Sequence, residues 1–424
     1  MAKQQSDIHS SPTRQGITTK EIPWKWMPSL VFTDSLPTAV LLVTLMTLRR
    51  FGLGNADITF YIAIICLPLL LRPWARLLTS RIPASPKAWT MATQIVGVTS
   101  LWATGYTLQS NVWRPCTIVF LTLGSIAAVL HSATLENHYI GNSAGRTPGA
   151  RFRFGRAFHA IALMIGAGVL TMIGGNLEVM RRNIPYSWAN VFYILAAITA
   201  ACCIYHLFAL PQNTQRLAEN LPTERAAGNG MAGICAFLLM TAENLFVCIG
   251  LLFLIDAVHN GGQGLSPQEF GLAVGTAGAA ASAAGTIGAD LFLRRHSRRG
   301  KTRLLTGACA LQCLFFLLMS IAAPIPLTAT IICMVCIGIC HGAGLTVLLT
   351  LRRMQGKGDK NEVAEARNTS AALLAILLAL MISGTMEESM GYTAFFATIL
   401  CVCTALSATT YLLTRKADER KDGE

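Results

Sequence analysis

Twelve apolar segments of about 20 to 27 residues recur along the chain, and each is long enough to cross a bilayer as a helix. In the first part they fall at 25–48, 56–79, 88–108, 113–135, 153–177 and 187–210. The second part repeats the pattern at 230–256, 267–293, 302–323, 326–351, 364–386 and 392–414. No soluble core of this size could hide so many. The chain has 424 residues, 53% hydrophobic and 13% charged, against about 25% charged in a soluble domain. These figures exclude a soluble enzyme, a disordered chain and a disulfide-rich secreted domain. The expected fold class is an all-α membrane protein with twelve transmembrane helices in two six-helix halves.

Short connections divide the chain. Residues 1–24 read as a polar cytoplasmic tail and 25–210 as the N-terminal six-helix half. Residues 211–229 read as a cytoplasmic central loop, 230–414 as the C-terminal half and 415–424 as a second cytoplasmic tail. No loop has room for an extramembrane catalytic domain.

The net charge of +13 raises the question of nucleic acid. Placement of the charges answers it. With both termini inside, all 34 Lys and Arg fall on the cytoplasmic side except Arg49, Arg50, Arg114, Arg181 and Arg182. That bias fixes orientation and predicts an even number of spans. The charge then belongs to topology, with no nucleic-acid partner; the Arg294–Arg303 group reads as a solvated anchor, with contact to anionic lipid heads as the alternative. Trp24, Trp26, Trp113 and Trp188 fall near predicted helix ends, where an interfacial belt places indoles.

Catalytic and metal motifs fail on context. Gly300-Lys301-Thr302 lacks the glycine five residues earlier that a phosphate loop requires, since Arg295 stands there. Gly141-Asn142-Ser143-Ala144-Gly145 has the nucleophile-elbow spelling but lies between two spans. Cys333, Cys336, Cys340 and His341 lie in one apolar helix with no second ligand cluster, so they read as core. We expect no enzyme activity, no cofactor and no metal.

The informative residues are those that cost free energy to keep in a membrane. A carboxylate at mid-span costs about 2.5–3.5 kcal/mol on insertion scales. Asp34 in the first span and Glu243 in the seventh occupy equivalent helices of the two halves, and desolvation suits such groups to taking and releasing protons. Near the cytoplasmic ends of the fourth and fifth spans, His131, Glu136, Arg156 and His159 form a candidate gate or proton relay, with Glu136 facing Arg156. Structural hydrogen bonds and an interfacial ion pair are the alternatives for these two groups. His206 and His341 read as single polar contacts. Glycines cluster in the fifth span (Gly166, Gly168, Gly174, Gly175) and the eighth (Gly271, Gly275, Gly278, Gly285, Gly288), where they permit close helix approach. Pro28, Pro37, Pro68 and Pro73 mark expected kinks in the first two spans.

Six plus six spans, a mid-chain loop and a basic loop after the eighth span resemble the major facilitator superfamily. Within it, residues 26–74 resemble the start of the AmpG-like muropeptide permeases in the form common in Bacteroidota. The carrying residues include Pro28, Phe32, Leu36, Pro37, Gly52, Asn55, Asp57, Tyr61, Pro68, Arg72, Pro73 and Trp74. IPYSWANVFYIL (184–195), GLSPQEFGLAVGT (264–276) and SGTMEESMGYTAFF (383–396) resemble later parts of the same group. The chain departs from that pattern in its charges. Ser132 stands for the first of two acids ending the fourth helix and Glu136 for the second. His159-Ala160, Met240 and Ser80 stand where the group carries other charged residues.

The resemblance implies a secondary active transporter in the bacterial inner membrane, a monomer, working by alternating access. It implies a small-molecule substrate such as a cell-wall muropeptide imported with protons, and a gating loop at Arg72, Pro73 and Trp74. A drug or metabolite exporter of the same fold is the alternative within transport. A polytopic sensor or scaffold that no longer transports is the alternative outside it.

Overall fold

The computed structural model describes residues 25–81, 84–142, 148–210, 231–293, 298–355 and 362–422. Among them the chain forms twelve helical rods and no strand. The expected all-α membrane architecture is the one observed. The first six are Met27–Arg50, 55–81, Pro86–Thr107, Trp113–Asn142, 148–181 and Ile184–Ala209. The second six are Met231–Ile255, 267–293, Arg298–Ala322, Leu327–Gln355, Glu362–Met390 and Tyr392–Asp422. The twelfth helix thus continues past residue 414 as regular helix.

Local chemistry sets the starts. Ser85 caps the third helix by accepting from the Ala88 amide, with Pro86 behind it. Asn183 does the same for the sixth through the Tyr186 amide. Ser266 and Glu269 form a reciprocal capping box on the eighth. Gly391, at φ +78°, is the single residue between the eleventh and twelfth helices, a backbone conformation that glycine adopts at no steric cost.

Nine helices among the described residues are long and apolar enough to span a membrane. Large side chains such as Trp102, Val119, Ile204, Phe208, Ile321, Ile332 and Ile382 point outward. That is a liability in water and a fit to hydrocarbon. This is a multi-pass membrane protein.

The first helix continues unbroken through Pro37. The second changes winding at Pro68, where Leu67–Leu71 tightens to a 3-10 turn. The fifth and eighth each contain a wide π segment, Met164–Leu170 and Gly271–Gly278. Those two segments pack on one another and form one seam between the halves. A Cβ on Gly271 would lie 2.7 Å from the Gly168 carbonyl oxygen, so the glycines expected to allow close approach do so here. Gly288 meets nothing. The second seam joins the second and eleventh helices, where the Gly384 amide donates to Thr59 Oγ1 at 3.2 Å.

The tryptophans depart from an interfacial belt. Trp188 is completely buried and donates Nε1–H to Glu178 at 3.2 Å, and Trp26 is buried beside Leu30 and Leu210. Trp113 packs on Phe51 at 4.5 Å between centroids. Tight packing of the helix ends, rather than headgroups, takes these rings. Trp24 lies outside the described residues.

Candidate functional site

Asp34 lies on the first helix about two turns from its start at Met27. Ser132 of the fourth helix donates to Asp34 Oδ1 at 2.6 Å, and His131 Nδ1 lies 3.5 Å from the same oxygen. The residue standing where the resembled group carries an acid is therefore a hydroxyl donor to Asp34. Arg72 of the second helix lies within charge range.

Behind His131 a polar chain crosses the half. Gln94 of the third helix donates Nε2–H to His131 Nε2 at 3.1 Å. An amide nitrogen only donates, so the His131 hydrogen sits on Nδ1, toward Asp34. Gln94 also meets His206 Nδ1 of the sixth helix, at 2.9 Å from Nε2 and 3.1 Å from Oε1. His206 Nε2 lies 2.8 Å from Ser29 Oγ, back on the first helix. His206 is thus part of a network spanning four helices, not the single contact expected. Gln94 and His206 are only 2% and 0% exposed.

Glu243, near the middle of the seventh helix, has its own set. His341 Nδ1 of the tenth helix donates to Glu243 Oε1 at 3.0 Å. Gln312 of the ninth donates Nε2–H to the same oxygen at 3.3 Å, and Cys309 Sγ approaches Oε2 at 3.8 Å. His341 therefore partners a carboxylate directly and is also more than a lone polar contact. Gln312 Oε1 is buried with no hydrogen-bond partner.

His159 of the fifth helix lies within charge range of Arg156, Asp34 and His341, so it sits between the two sets. The expected Glu136–Arg156 pair falls outside the described side chains, because that of Glu136 is not among them. Arg72, Pro73 and Trp74 correct an expectation. They lie in regular helix, Arg72–Arg81, and not in a loop. They fall within the apolar segment 56–79, which the helix covers and extends to Arg81, and Trp74 donates Nε1–H to Ser370 Oγ on the eleventh helix at 2.9 Å. Ser370 in turn donates to the Leu70 carbonyl at 2.8 Å.

A second polar cluster ties the halves at the face where the first helix ends. Arg49 bonds Asn55 and lies 3.4 Å from Asp256 Oδ1. Asn55 Nδ2 donates to Glu387 Oε2 at 2.5 Å and to Tyr392 Oη at 2.7 Å. The Tyr392 hydroxyl donates to Asp256 Oδ2 at 2.7 Å, and the Ala56 amide to Glu388 Oε1 at 2.9 Å. At the other seam on the same face, Gln268 donates to Asn176 at 3.0 Å.

Sequence reasoning found both carboxylates, His131 and His159, but not Gln94, Gln312 or this cluster. Mid-span glutamines were the available signal, since a buried amide also needs partners in hydrocarbon. Asn55 and Glu387 were visible only within quoted motifs.

Residues 149–358 match the family model described as Major Facilitator Superfamily. Among solved structures, the nucleoside transporter NupG aligns with a TM-score of 0.68 at 14% identity, covering 93% of this chain and 99% of that one. A mutant of NupG aligns at 0.66 and 14% identity, with 93% and 98% covered. No curated protein matches the sequence. The fold is that of the nucleoside transporter NupG.

Proposed function

We propose that this chain, which has the major facilitator fold, is a proton-coupled secondary transporter that works by alternating access. In such a cycle two six-helix halves rock about a site near the midplane. Asp34 is the residue that carries the reading: a carboxylate kept within a membrane helix, held by Ser132 and His131 yet still 26% exposed at its side chain. A carboxylate that served only to brace helices would have no reason to stay open. His131 and His159 serve with it as proton or substrate contacts, and Glu243 is the second carboxylate. Glu136 and Arg156 complete the relay toward the face where the first helix begins. Arg72, Pro73 and Trp74 act as a gating helix whose hold on Ser370 breaks as the halves part.

The positive bias at that face supports placing it in the cytoplasm, with both termini there, in a bacterial inner membrane. The Arg49–Asn55–Asp256–Glu387–Tyr392 cluster then closes the outer face. The AmpG-like segments support a cell-wall muropeptide as the imported solute, carried by a monomer.

The test is uptake of labelled muropeptide into proteoliposomes with an acidic exterior, beside a nucleoside as comparison solute. Uptake that collapses with the pH gradient, and is lost in Asp34→Asn, supports the reading. Flux indifferent to the gradient, or nucleoside flux with none of muropeptide, sinks proton coupling or the substrate respectively.

A further inference from the structure

The two carboxylate sites repeat one pattern. Asp34 and His131 are 97 residues apart, on the first and fourth helices. Glu243 and His341 are 98 apart, on the seventh and tenth. Counting six helices on from the first and fourth gives the seventh and tenth. The glutamines follow the same rule, with Gln94 on the third helix bonding the histidine and Gln312 on the ninth bonding the carboxylate. Each half thus brings a carboxylate, an imidazole and an amide from equivalent helices to one point.

We propose that the protein binds two protons per cycle, one on each of the equivalent pairs Asp34–His131 and Glu243–His341. The proposal rests on the proton-coupled reading above and adds a stoichiometry and a second site to it. In each pair the imidazole donates Nδ1–H to the carboxylate, so the pair carries one negative charge. One proton from water neutralises it by adding to the carboxylate, and its release restores the charge. No other reactant is needed.

Burial gives Glu243 a reason to take up a proton. Its side chain is 9% exposed, and beside it Gln312 is fully buried and donates Nε2–H to it. A charge kept in such a place is costly, and a bound proton removes that cost. Among the described residues the neighbours of each pair are few. Asp34 faces His131 and Ser132 on the fourth helix, Arg72 on the second and His159 on the fifth. Glu243 faces His341 on the tenth, Cys309 and Gln312 on the ninth and Cys403 on the twelfth. His159 also faces His341, so the fifth helix links the two pairs electrostatically.

The measurement is an acid-minus-neutral infrared difference spectrum of the full chain in lipid vesicles, with a parallel proton titration. Asp34→Asn removes one protonated-carboxyl band and one bound proton. Glu243→Gln removes a different band and one further proton, and the double variant loses both. Carbon-13 glutamate shifts glutamate bands and leaves the Asp34 band in place, and the labelled band lost in Glu243→Gln is that of Glu243. His341→Gln moves the pH at which that labelled band appears and leaves the Asp34 band in place, so the carboxylates can be read even if Glu243→Gln folds poorly. Glu243→Gln binding as many protons as the unaltered chain overturns the proposal. So does a labelled band insensitive to His341→Gln. Both bands present in a protein that moves no solute would sink the transport reading and leave the two proton sites standing. Gradient-driven uptake with no Glu243 band would do the reverse.

Discussion

The two halves hold the same pair of groups the opposite way round. In the first half the carboxylate faces open space and the imidazole is hidden: the Asp34 side chain is 26% exposed and that of His131 5%. In the second half the imidazole is in front, with His341 at 41% and Glu243 at 9%. The hidden member also has a different backing. His131 leans on Gln94, which reaches His206 and Ser29. Glu243 leans on Gln312 and Cys309, and among the described residues the contact continues only to the Ala308 carbonyl. Duplicated architecture therefore does not dictate duplicated chemistry. An open carboxylate offers an acceptor to a solute, whereas an open imidazole offers a donor or an acceptor by tautomer.

The largest effect that can break this comparison is on transport. Asp34→Asn should bring gradient-driven uptake to background while leaving solute exchange without a gradient, because an asparagine cannot carry the proton. His341→Gln should instead raise the half-saturating solute concentration more than it lowers the maximal rate, if the exposed imidazole is a solute contact. Equal effects of the two variants on both parameters would show that the halves are functionally alike.

Stability gives the next test. Gln94→Leu strips partners from two buried imidazoles and should cost about 1–3 kcal/mol for the polar groups left unsatisfied. Gln312→Leu also removes an orphaned acceptor, which offsets part of the loss of its two bonds, to Glu243 and to the Ala308 carbonyl, so its cost should stay under about 1 kcal/mol. Thermal melting of the two variants in one detergent measures the difference. A larger loss for Gln312→Leu would mean that its Oε1 has a partner in the membrane.

The architecture was legible because it rests on length and composition. A run of about 20 apolar residues has few alternatives to a spanning helix. Asp34 and Glu243 stood out for the same reason, as charges where charges are expensive. What stayed hidden depended on rotation about each helix axis. Nothing in the order of residues says that His206 and His131 turn toward one amide, or that Trp188 turns inward. Arg72 to Trp74 illustrate the other limit. The loop expected there came from the resemblance, although these residues fall within the apolar segment 56–79, and the helix continues to Arg81. The cluster around Asn55 joins residues more than 300 positions apart, beyond any local pattern.

The smallest effect sharpens the comparison at a single atom. Ser132→Ala removes the 2.6 Å hydroxyl bond to Asp34. A bond to a charged acceptor is worth about 1.5–3 kcal/mol when buried. Asp34 is partly open and water can replace the donor, so about 1 kcal/mol is expected. Cys309→Ala deletes the corresponding contact to Glu243, a thiol at 3.8 Å, and should cost less than about 0.5 kcal/mol in polar terms, because a thiol is a weak donor. The cavity left by one buried sulfur adds to that figure, so Cys309→Ser, which keeps the volume and strengthens the donor, is the proper partner to Ser132→Ala. If Cys309→Ser raises the melting temperature while Ser132→Ala lowers it, the two carboxylates differ in how well their charge is met. Glu243 would then be the one left short of donors, as its orphaned neighbour Gln312 suggests.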